Sequence, residues 1–391
     1  MENPKESRRQ AVEPFTLASV KTFVLRWPVK RPVQTSFGTM TDRPAVLVRV
    51  EDVDGAVGWG EVWCNFPSCG AEHRARLVDT VVAPLLVGKT FNTAEAAFES
   101  MNARTAVLAI QTGEPGPIAQ AIAGLDLAIW DMLSRRASVP LWQFLGGRSD
   151  SVQVYTSGIN PDQPEEIVLA KYAEGYRAFK LKIGFGTERD IANVQAICSK
   201  LPPGCQFMVD ANQAWDLDHA MRMTERLSEF GLAWLEEPLR ADRPTTEWVQ
   251  LAQHTSIPLA AGENLIGSAA FDAMIASKAL RVVQPDLAKW GGLSGCLPVI
   301  SSVQEAGLRY CPHFLGAGIG LLASAHVLAA RGQLGGMLEI DSNENPLRTL
   351  LSPALSAVAD GHANLGVSAG LGIDPDLQLL RDLCLLMHLA N

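Results

Sequence analysis

The feature that most constrains this chain is a series of polar residues, each standing at the end of a short apolar run. From Lys182 onward the steps along the chain are 28, 26, 27, 23, 27 and 26 residues. The series consists of Lys180, Lys182, Asp210, Glu236, Glu263, Asp286, His313 and Glu339. Each apolar run precedes a helix-like stretch, which is the rhythm of a repeated βα unit. One acid or base at each strand end is typical of the C-terminal mouth of a barrel, so we predict an α/β fold with a (β/α)8-type barrel.

The length leaves room for a second domain beside the barrel. The chain has 391 residues, whereas a barrel takes about 250. Strand signals at Ala45–Glu51 and Ala56–Trp63 flank a turn, and a helical pattern follows Pro117. A doubly wound sheet is less consistent with the pattern, because its strand ends lie in a row. We expect a flexible tail over 1–14, an N-terminal α+β domain over 15–145, the barrel over 146–355, and a segment over 356–391 that returns to the first domain.

Charge and cysteine content narrow the class of protein. The net charge is -9, so the chain lacks the basic footprint of a nucleic-acid or anionic-membrane binder. Seven scattered cysteines form no disulfide framework, which favours a reducing, cytoplasmic setting. The N-terminal residues contain no apolar signal region, and no run of about 18 uncharged apolar residues predicts a membrane span.

Three carboxylates follow successive predicted strands, in the segments VDAN, LEEP and GEN. They are Asp210, Glu236 and Glu263. Oxygen donors with no cysteine or histidine nearby favour a hard cation, and Mg²⁺ fits better than Zn²⁺. The structural alternative is that each carboxylate caps a helix or lies on the surface. Three carboxylates in register make the metal site the better hypothesis.

Lys180 and Lys182 in FKLKIG are two residues apart, so a strand points both side chains the same way. Mutual repulsion and partial burial are expected to lower the pKa of one lysine, which could then act as a neutral base near pH 7. The alternative is a pair of solvated lysines on an edge strand. The acidic residues on neighbouring strands favour the functional interpretation.

His313 and Asp286 end consecutive predicted strands, in the segments LRYCPH and VVQPD. An aspartate bonded to one ring nitrogen would orient the imidazole, fix its tautomer and raise its basicity. Lys289 is either a third cation in the site or an ion-pair partner for Asp286 or Glu263. Glu339 could hydrogen-bond a substrate oxygen if it is protonated, or could pair with a lysine.

Taken in order, these motifs resemble the enolase superfamily, and within it the mandelate racemase subgroup. The resemblance rests on KLKIG, VDANQAW, WLEEPL, AGEN, QPDLAKWGG, PHFLGAGIG and LEID, with AIAGLDLAIWDML and PLWQFLGG before them. ENPLR, which follows Glu339, resembles members that act on sugar acids and their lactones. The resemblance implies that the N-terminal domain caps the barrel and that Asp210, Glu236 and Glu263 bind Mg²⁺.

The chemistry that this resemblance implies is removal of the proton α to a carboxylate. The metal, Lys180 and Glu339 would stabilise the enediolate that forms, while Lys182 and His313, oriented by Asp286, would act on opposite faces. Two opposed bases permit dehydration of a hydroxy acid, and equally racemisation or epimerisation. We favour a Mg²⁺-dependent dehydratase of a sugar acid, with a racemase or epimerase second and a lactone cycloisomerase third. A catalytically inactive, acid-binding barrel is the alternative outside the enzymes.

Two segments before the barrel are expected to close over its mouth and to set substrate choice. By the resemblance they are loops over Val33–Arg43 and Val62–Gly70. Their candidate contacts are Ser36, Thr39, Thr41 and Arg43 in the first, and Trp63, Asn65 and Phe66 in the second. The predicted substrate contacts are Lys180, Asn212, Lys289, Arg43 and Trp63. We expect a small hydroxy acid as the partner and a homo-oligomer between a dimer and an octamer.

Overall fold

The computed structural model describes residues 13–35 and 38–388, and its first sheet is antiparallel. The strands are β1 (Phe15–Thr35), β2 (Gly38–Asp52), β3 (Val57–Val62) and β4 (Thr90–Phe91). β1, β2 and β3 pair in that order, and β4 pairs with the start of β1. The predicted hairpin turn closes with Gly55 at φ 84°, a conformation that suits glycine, and the Gly55 N–H donates to the Asp52 carbonyl at 3.1 Å.

The first predicted loop, Val33–Arg43, is strand on both sides of residues 36 and 37. Val33 pairs with Met40, and Thr35 pairs with Gly38. Val33 and Met40 are both buried, and their packing favours a paired arm over an irregular loop. Ser36 lies outside the described residues. The segment between β3 and the next helix is irregular, as predicted.

Helices cover one side of the first sheet. They are α1 (Gly70–Leu77), α2 (Ala94–Thr112), α3 (Pro115–Arg136) and α4 (Leu141–Phe144), with a π-helical turn at Val78–Val82 and a 3-10 turn at Ala83–Leu85. α3 packs directly on β3, where a Cβ atom at position 60 would lie 2.0 Å from the Gly124 carbonyl oxygen. Glycine at 60 therefore lets the two backbones meet.

Among the described residues, eight parallel strands form a second, curled sheet. They are β5 (Ser151–Ile159), β6 (Ala178–Lys182), β7 (Gln206–Asp210), β8 (Leu235–Glu236), β9 (Leu259–Ala261), β10 (Val282–Val283), β11 (Arg309–Tyr310) and β12 (Leu338–Asp341). Strands β5 to β11 pair in chain order, and β12 pairs with β5. The ends of the sheet approach each other, since the Met337 N–H donates to Cys311 Sγ at 3.4 Å. The predicted barrel fold with an N-terminal α+β domain is confirmed.

The helices that follow these strands lie outside the curled sheet. They are α5 (Pro164–Ala173), α6 (Thr187–Lys200), α7 (Leu217–Leu227), α8 (Thr245–His254), α9 (Ser268–Ser277), α10 (Gly292–Glu305), α11 (Gly318–Arg331) and α12 (Pro346–Leu351), with 3-10 turns at Ser228–Phe230 and Pro353–Ser356. α7 illustrates their construction. Asp216 caps it by accepting the His219 N–H at 2.8 Å, and Ala220, Met223 and Leu227 form its buried stripe.

The chain after the barrel contacts both sheets. β13 (His362–Asn364) pairs antiparallel with β5. α13 (Leu377–Leu383) then leads into β14 (Cys384–His388), which pairs antiparallel with β1 from Thr22 to Leu25. The limits assigned to the domains stay a prediction. Of the helices within 13–35 and 38–388, none is long and apolar enough to cross a membrane.

Candidate active site

The two lysines of β6 point to the same face of the strand but lie in different environments. Lys180 is 1% exposed, and its Nζ lies 2.8 Å from Glu339 Oε1 and 3.6 Å from Asp210 Oδ2 while it donates to Glu236. Lys182, nearer the mouth, donates to Asp210 Oδ2 at 2.6 Å and lines a cavity. Carboxylates therefore enclose Lys180, whereas Lys182 reaches the space above.

The expected lowering of one lysine pKa is wrong for this arrangement. Burial and the neighbouring ammonium of Lys180 both favour neutral Lys182, but the carboxylates of Asp210, Glu263 and Glu236 outweigh them and raise the pKa of Lys182 to about 12. Burial likewise opposes the charge on Lys180, yet its carboxylate neighbours hold its pKa well above the usual value. The prediction considered the repulsion between the lysines and omitted the stronger attraction of the acids around them.

His313 and Asp286 form a hydrogen-bonded pair at the ends of β11 and β10. His313 Nδ1 lies 2.7 Å from Asp286 Oδ2, and His313 Nε2 lies 2.6 Å from Glu263 Oε2. Asp286 is itself fixed, since its Oδ1 accepts the Ala288 N–H at 2.9 Å. Burial favours neutral His313, but Glu263, Glu339 and the Asp286 bond hold its pKa well above the usual range. The imidazole is thus oriented from one side and faces the cavity with the other.

Glu339 carries negative charge in this arrangement. Burial opposes that charge, but Lys180 and His313 outweigh it and lower the pKa of Glu339. The idea that a protonated Glu339 donates to the substrate is therefore wrong here, and the alternative pairing with a lysine is observed at 2.8 Å. Through this ion pair, Glu339 connects the end of β12 with Lys180 on β6.

The three predicted metal ligands lie at neighbouring strand ends. Asp210 and Glu236 converge on one positive charge, the Lys180 ammonium, whereas Glu263 is turned to His313. Within the described ranges, no group of three metal-binding side chains is arranged as a coordination shell. The carboxylates are instead satisfied by the cationic side chains that face them.

The chemistry of this donor set nevertheless fits a divalent cation. Burial raises the pKa of Glu236 to about 7; Lys180 opposes the shift, and repulsion from Asp210, Glu339 and Glu263 adds to it. Clustered carboxylates that repel one another are relieved by a hard cation, which prefers oxygen ligands. Asp210, Glu236 and Glu263 are therefore suited to Mg²⁺, provided that Glu263 turns away from His313.

Several supporting residues were missed by the sequence analysis. Trp234 Nε1 and Gln284 Nε2 donate to Glu236 Oε2 at 3.2 and 2.6 Å. Asn264 Nδ2 donates to Glu237 Oε1 at 2.9 Å, and burial holds the pKa of Glu237 well above its usual value. The contact between Trp234 and Glu236 could have been predicted from the sequence, because side chains two residues apart on a strand point to the same face.

A cavity of about 390 Å³ lies over the strand ends. From the first part of the chain it is lined by Val33, Trp63, Asn65, Phe66 and Gln120. From the barrel it is lined by Ser157, Gly158, Asn160, Lys182, Asn212, Gln213, Glu263, Asn264, Ile266, Lys289, His313, Leu315, Glu339, Asp341 and Asn343. Seven of these side chains are carboxamides, so the walls offer many neutral hydrogen-bonding groups beside the charged floor.

The predicted substrate contacts divide into two groups. Asn212, Lys289 and Trp63 line the cavity, and Lys289 Nζ donates to Asn264 Oδ1 at 2.7 Å while lying 5.0 Å from the Trp63 ring centroid. Among the described residues the lining includes neither Lys180 nor Arg43.

Arg43 stands behind the cavity wall, where its Nη2 donates to Asp341 Oδ2 at 2.6 Å. Asp341 itself lines the cavity and was missed. Its position could have been found, because it follows Glu339 by two residues on β12 and so shares its face. Gln120 gave no such signal, since it comes from α3 of the other sheet's layer.

Two family descriptions match this chain. "Enolase C-terminal domain-like" matches residues 165–379. "Mandelate racemase / muconate lactonizing enzyme, N-terminal domain" matches residues 17–146. The second range includes β1 to β4, apart from the first residues of β1, and the first range includes every strand end that bears a candidate residue.

Individual relatives cover nearly the whole chain. A solved mandelate racemase/muconate lactonizing enzyme from Bordetella bronchiseptica RB50 is 59% identical, with a TM-score of 0.90, over 95% of this chain and 100% of that one. D-galactarolactone cycloisomerase of Agrobacterium fabrum is 28% identical over 92% of this chain and 96% of its own. Arabinonate dehydratase of Saccharolobus solfataricus is 26% identical over 84% and 87%. Other relatives bear the names of dehydratases, cycloisomerases, racemases and epimerases.

Proposed function

The chain belongs to the mandelate racemase and muconate lactonizing enzyme family of the enolase superfamily, and we propose on this basis that it dehydrates a polyhydroxylated α-hydroxy acid with Mg²⁺. It is an enzyme of the mandelate racemase type, whose relatives are lyases and isomerases. Members of the superfamily generally use Mg²⁺. We therefore propose the class of acid that is bound and the loss of water from the enediolate that forms.

The observation that carries the proposal is the pair of proton carriers on the cavity floor. Lys182 comes from β6, and His313, backed by Asp286, comes from β11. Strands β6 and β11 are far apart in the order of the sheet, so the two groups approach a bound acid from different sides. One would take the α-proton, and the other would protonate the departing β-hydroxyl as water leaves. The product is a 2-keto-3-deoxy acid after tautomerisation.

Removal of a proton next to a carboxylate places a second negative charge on that group. Lys180, enclosed below the floor, is positioned to stabilise this charge, and Glu339 holds Lys180 in place at 2.8 Å. Mg²⁺ held by Asp210, Glu236 and Glu263 would add positive charge there and would neutralise the negative charge that now faces Lys182 and His313.

The cavity walls support a hydroxylated substrate. Asn160 Nδ2 donates to Asn343 Oδ1 at 3.1 Å, which leaves the second N–H and the Oδ1 of Asn160 for a ligand. The Asn343 amide nitrogen instead donates to the Gly158 carbonyl and to Asp341 Oδ1. Gln120 accepts from Arg74 Nε at 2.9 Å, so its amide nitrogen is free to face the cavity that Gln120 lines. Such groups suit several hydroxyls better than an aromatic or aliphatic tail. Epimerisation is the second candidate, because the same opposed pair can reprotonate the α-carbon from the other side.

The test is incubation with Mg²⁺ and a library of aldonic and aldaric acids in ²H₂O, followed by proton NMR. We expect a 2-keto-3-deoxy acid to accumulate from at least one member. Deuterium at the α-carbon without loss of water would indicate epimerisation instead. Absence of both from every acid, although Mg²⁺ binds, would refute proton abstraction for this set of acids.

A further inference from the structure

The loop that carries His313 is fastened to the first sheet by a buried carboxylate. Glu61 of β3 is 2% exposed and accepts the Ala317 N–H at 2.5 Å and the Gly320 N–H at 2.8 Å. These amides open α11, which begins five residues after His313. A carboxylate is stabilised at a helix N-terminus, where amide groups lack partners within the helix. Glu61 therefore links the capping part to the segment that presents the imidazole.

Glycines make this link close. A Cβ atom at position 316 would lie 2.7 Å from Glu61 Oε1 and 2.6 Å from the Phe314 ring. A Cβ atom at position 320 would lie 2.4 Å from the same ring. Phe314, the neighbour of His313, thus packs closely against the N-terminal turn of α11, which Glu61 binds. Movement of β3 would be transmitted to the imidazole through this contact.

The loop after Asp286 is fastened in the same way from α3. Asp126 is fully buried and accepts the Leu293 N–H at 2.7 Å, the Ser294 N–H at 2.9 Å and the Ser294 hydroxyl at 2.6 Å. These groups belong to the first turn of α10. Both members of the Asp286–His313 pair therefore precede a barrel helix whose N-terminus is bound by a carboxylate from the first part of the chain.

The loop after Lys182 is fastened differently. Asp190 is 1% exposed and accepts the Gly184 N–H at 2.9 Å and the Phe185 N–H at 3.2 Å. Asp190 lies on α6, the helix that follows Lys182 in the barrel itself. The loop after Lys182 is thus held by a residue of the barrel itself.

We propose that Glu61 and Asp126 are positioning residues for the Asp286–His313 side of the site, whereas Asp190 positions the Lys182 side. Residues of the capping domain then position the proton carrier on one face of the substrate, and a residue of the barrel positions the carrier on the other. A shift of the capping domain therefore changes the rate of proton transfer on the His313 face only. This inference rests on the proposed function. A displacement of about 1 Å can cost about 10²-fold in rate, so small shifts of either loop suffice.

The test compares Glu61→Gln and Asp126→Asn with Asp190→Asn as the mirror-image control. The probes are pairs of aldonates epimeric at C2, such as gluconate and mannonate, in ²H₂O with Mg²⁺, and loss of each α-proton signal is followed by NMR. The epimer that His313 deprotonates is the one whose exchange stops in His313→Asn. We expect Glu61→Gln and Asp126→Asn to slow that epimer by about 10-fold or more, with less than about 2-fold change for the other. Asp190→Asn should give the reverse pattern.

A structural readout accompanies the rates. Hydrogen–deuterium exchange measured by mass spectrometry should increase over residues 314–321 in Glu61→Gln, and should stay at the wild-type level there in Asp190→Asn. If a primary variant fails to fold, Glu61→Asp and Ser294→Ala replace it, since each weakens one contact and keeps the buried carboxyl group. Equal slowing of both epimers, or of neither, would overturn the assignment and leave the proposed function intact. A wild-type protein that exchanges no member of any pair would overturn the proposed function, and this assignment with it.

Discussion

At the scale of single residues, burial separates cations that look equivalent along the chain. Lys180 and Lys182 share one face of β6, yet only Lys182 lines the cavity among the described residues. Lys180 contacts carboxylates on three strands, which keep its ammonium group charged. Because this ammonium group is fully enclosed, it cannot reach the α-carbon of a substrate. A proton carrier must reach the substrate within hydrogen-bond distance, and Lys182 and His313 both line the cavity in which we propose that the acid binds.

Loss of either proton carrier should stop turnover without unfolding the protein. For Lys182→Ala and for His313→Asn we expect a fall of about 10³-fold or more in product formation. Both variants should remain folded, with a lower thermal midpoint, because a buried carboxylate loses a cationic partner in each. Lys200→Ala serves as the control, because this lysine ends α6, does not line the cavity and pairs with Glu165 on the surface. Near-normal turnover in either site variant would refute the role given to that residue.

Mg²⁺ should stabilise the folded protein through Asp210 and not through Glu237. A ligand at about 100 times its dissociation constant adds about 2.7 kcal/mol, so the thermal midpoint of the wild type should rise with Mg²⁺. Asp210→Asn should lose this rise, since it removes one donor charge. Glu237→Gln should keep it, because burial already favours the neutral form of that side chain. An unchanged rise in Asp210→Asn would contradict the assigned ligand set.

At the scale of elements, short strands are enough to place the site. β8, β10 and β11 are each two residues long, yet β8 ends in Glu236, and Asp286 and His313 follow β10 and β11 by three residues each. The spacing along the sequence predicted these positions, because a strand end needs only local apolar runs and turns. It did not predict Glu61 or Asp126, whose partners lie 256 and 167 residues away along the chain. Contacts between residues so far apart along the chain depend on how the two layers pack, and a local sequence pattern does not predict that packing.

The predicted loop at Val33–Arg43 shows the same limit in another form. Its residues were expected to form a loop from the family resemblance. The structure pairs residues 33–35 with residues 38–40 as strands, and Arg43 donates to Asp341 on β12 without lining the cavity. The partner on the barrel, not the local composition, decides where this arginine points.

Contact between β3 and α3 should make Gly60 intolerant of any side chain. A Cβ atom there would lie 2.0 Å from the Gly124 carbonyl oxygen and 2.8 Å from the Ala128 nitrogen, and both are backbone atoms. We expect Gly60→Ala to destabilise the protein by about 3 kcal/mol, which is at the upper end for overpacking. Gly116→Ala, in the first turn of α3, is the control, because a Cβ atom there meets nothing within 4 Å. Thermal denaturation of the two variants measures the difference, and equal midpoints would show that the layers can separate.

At the scale of the whole molecule, α11 connects the barrel with the segment that leads into it. His326 on α11 is 1% exposed, and its Nδ1 accepts the Trp142 N–H of α4 at 3.1 Å. Glu61 binds the other end of the same helix, at Ala317. A single barrel helix thus contacts β3 at its start and α4 nearer its end. The stability of this junction should depend on keeping His326 neutral.

Acid should weaken the protein through His326. Burial lowers its pKa to about 4, so between that value and the ordinary histidine pKa of about 6.5 the unfolded chain binds a proton that the folded chain excludes. Stability from this group is complete above pH 6.5 and is lost as the pH falls toward 4, by about 3 kcal/mol in total. His326→Asn keeps an acceptor for the Trp142 N–H but cannot titrate. Its thermal midpoint should therefore fall less steeply than that of the wild type between pH 6.5 and 4.5, whereas His362→Asn, on the surface, should follow the wild type. If the thermal midpoints of the wild type and His326→Asn fell in parallel over this pH range, His326 would not be the cause of the lower stability in acid.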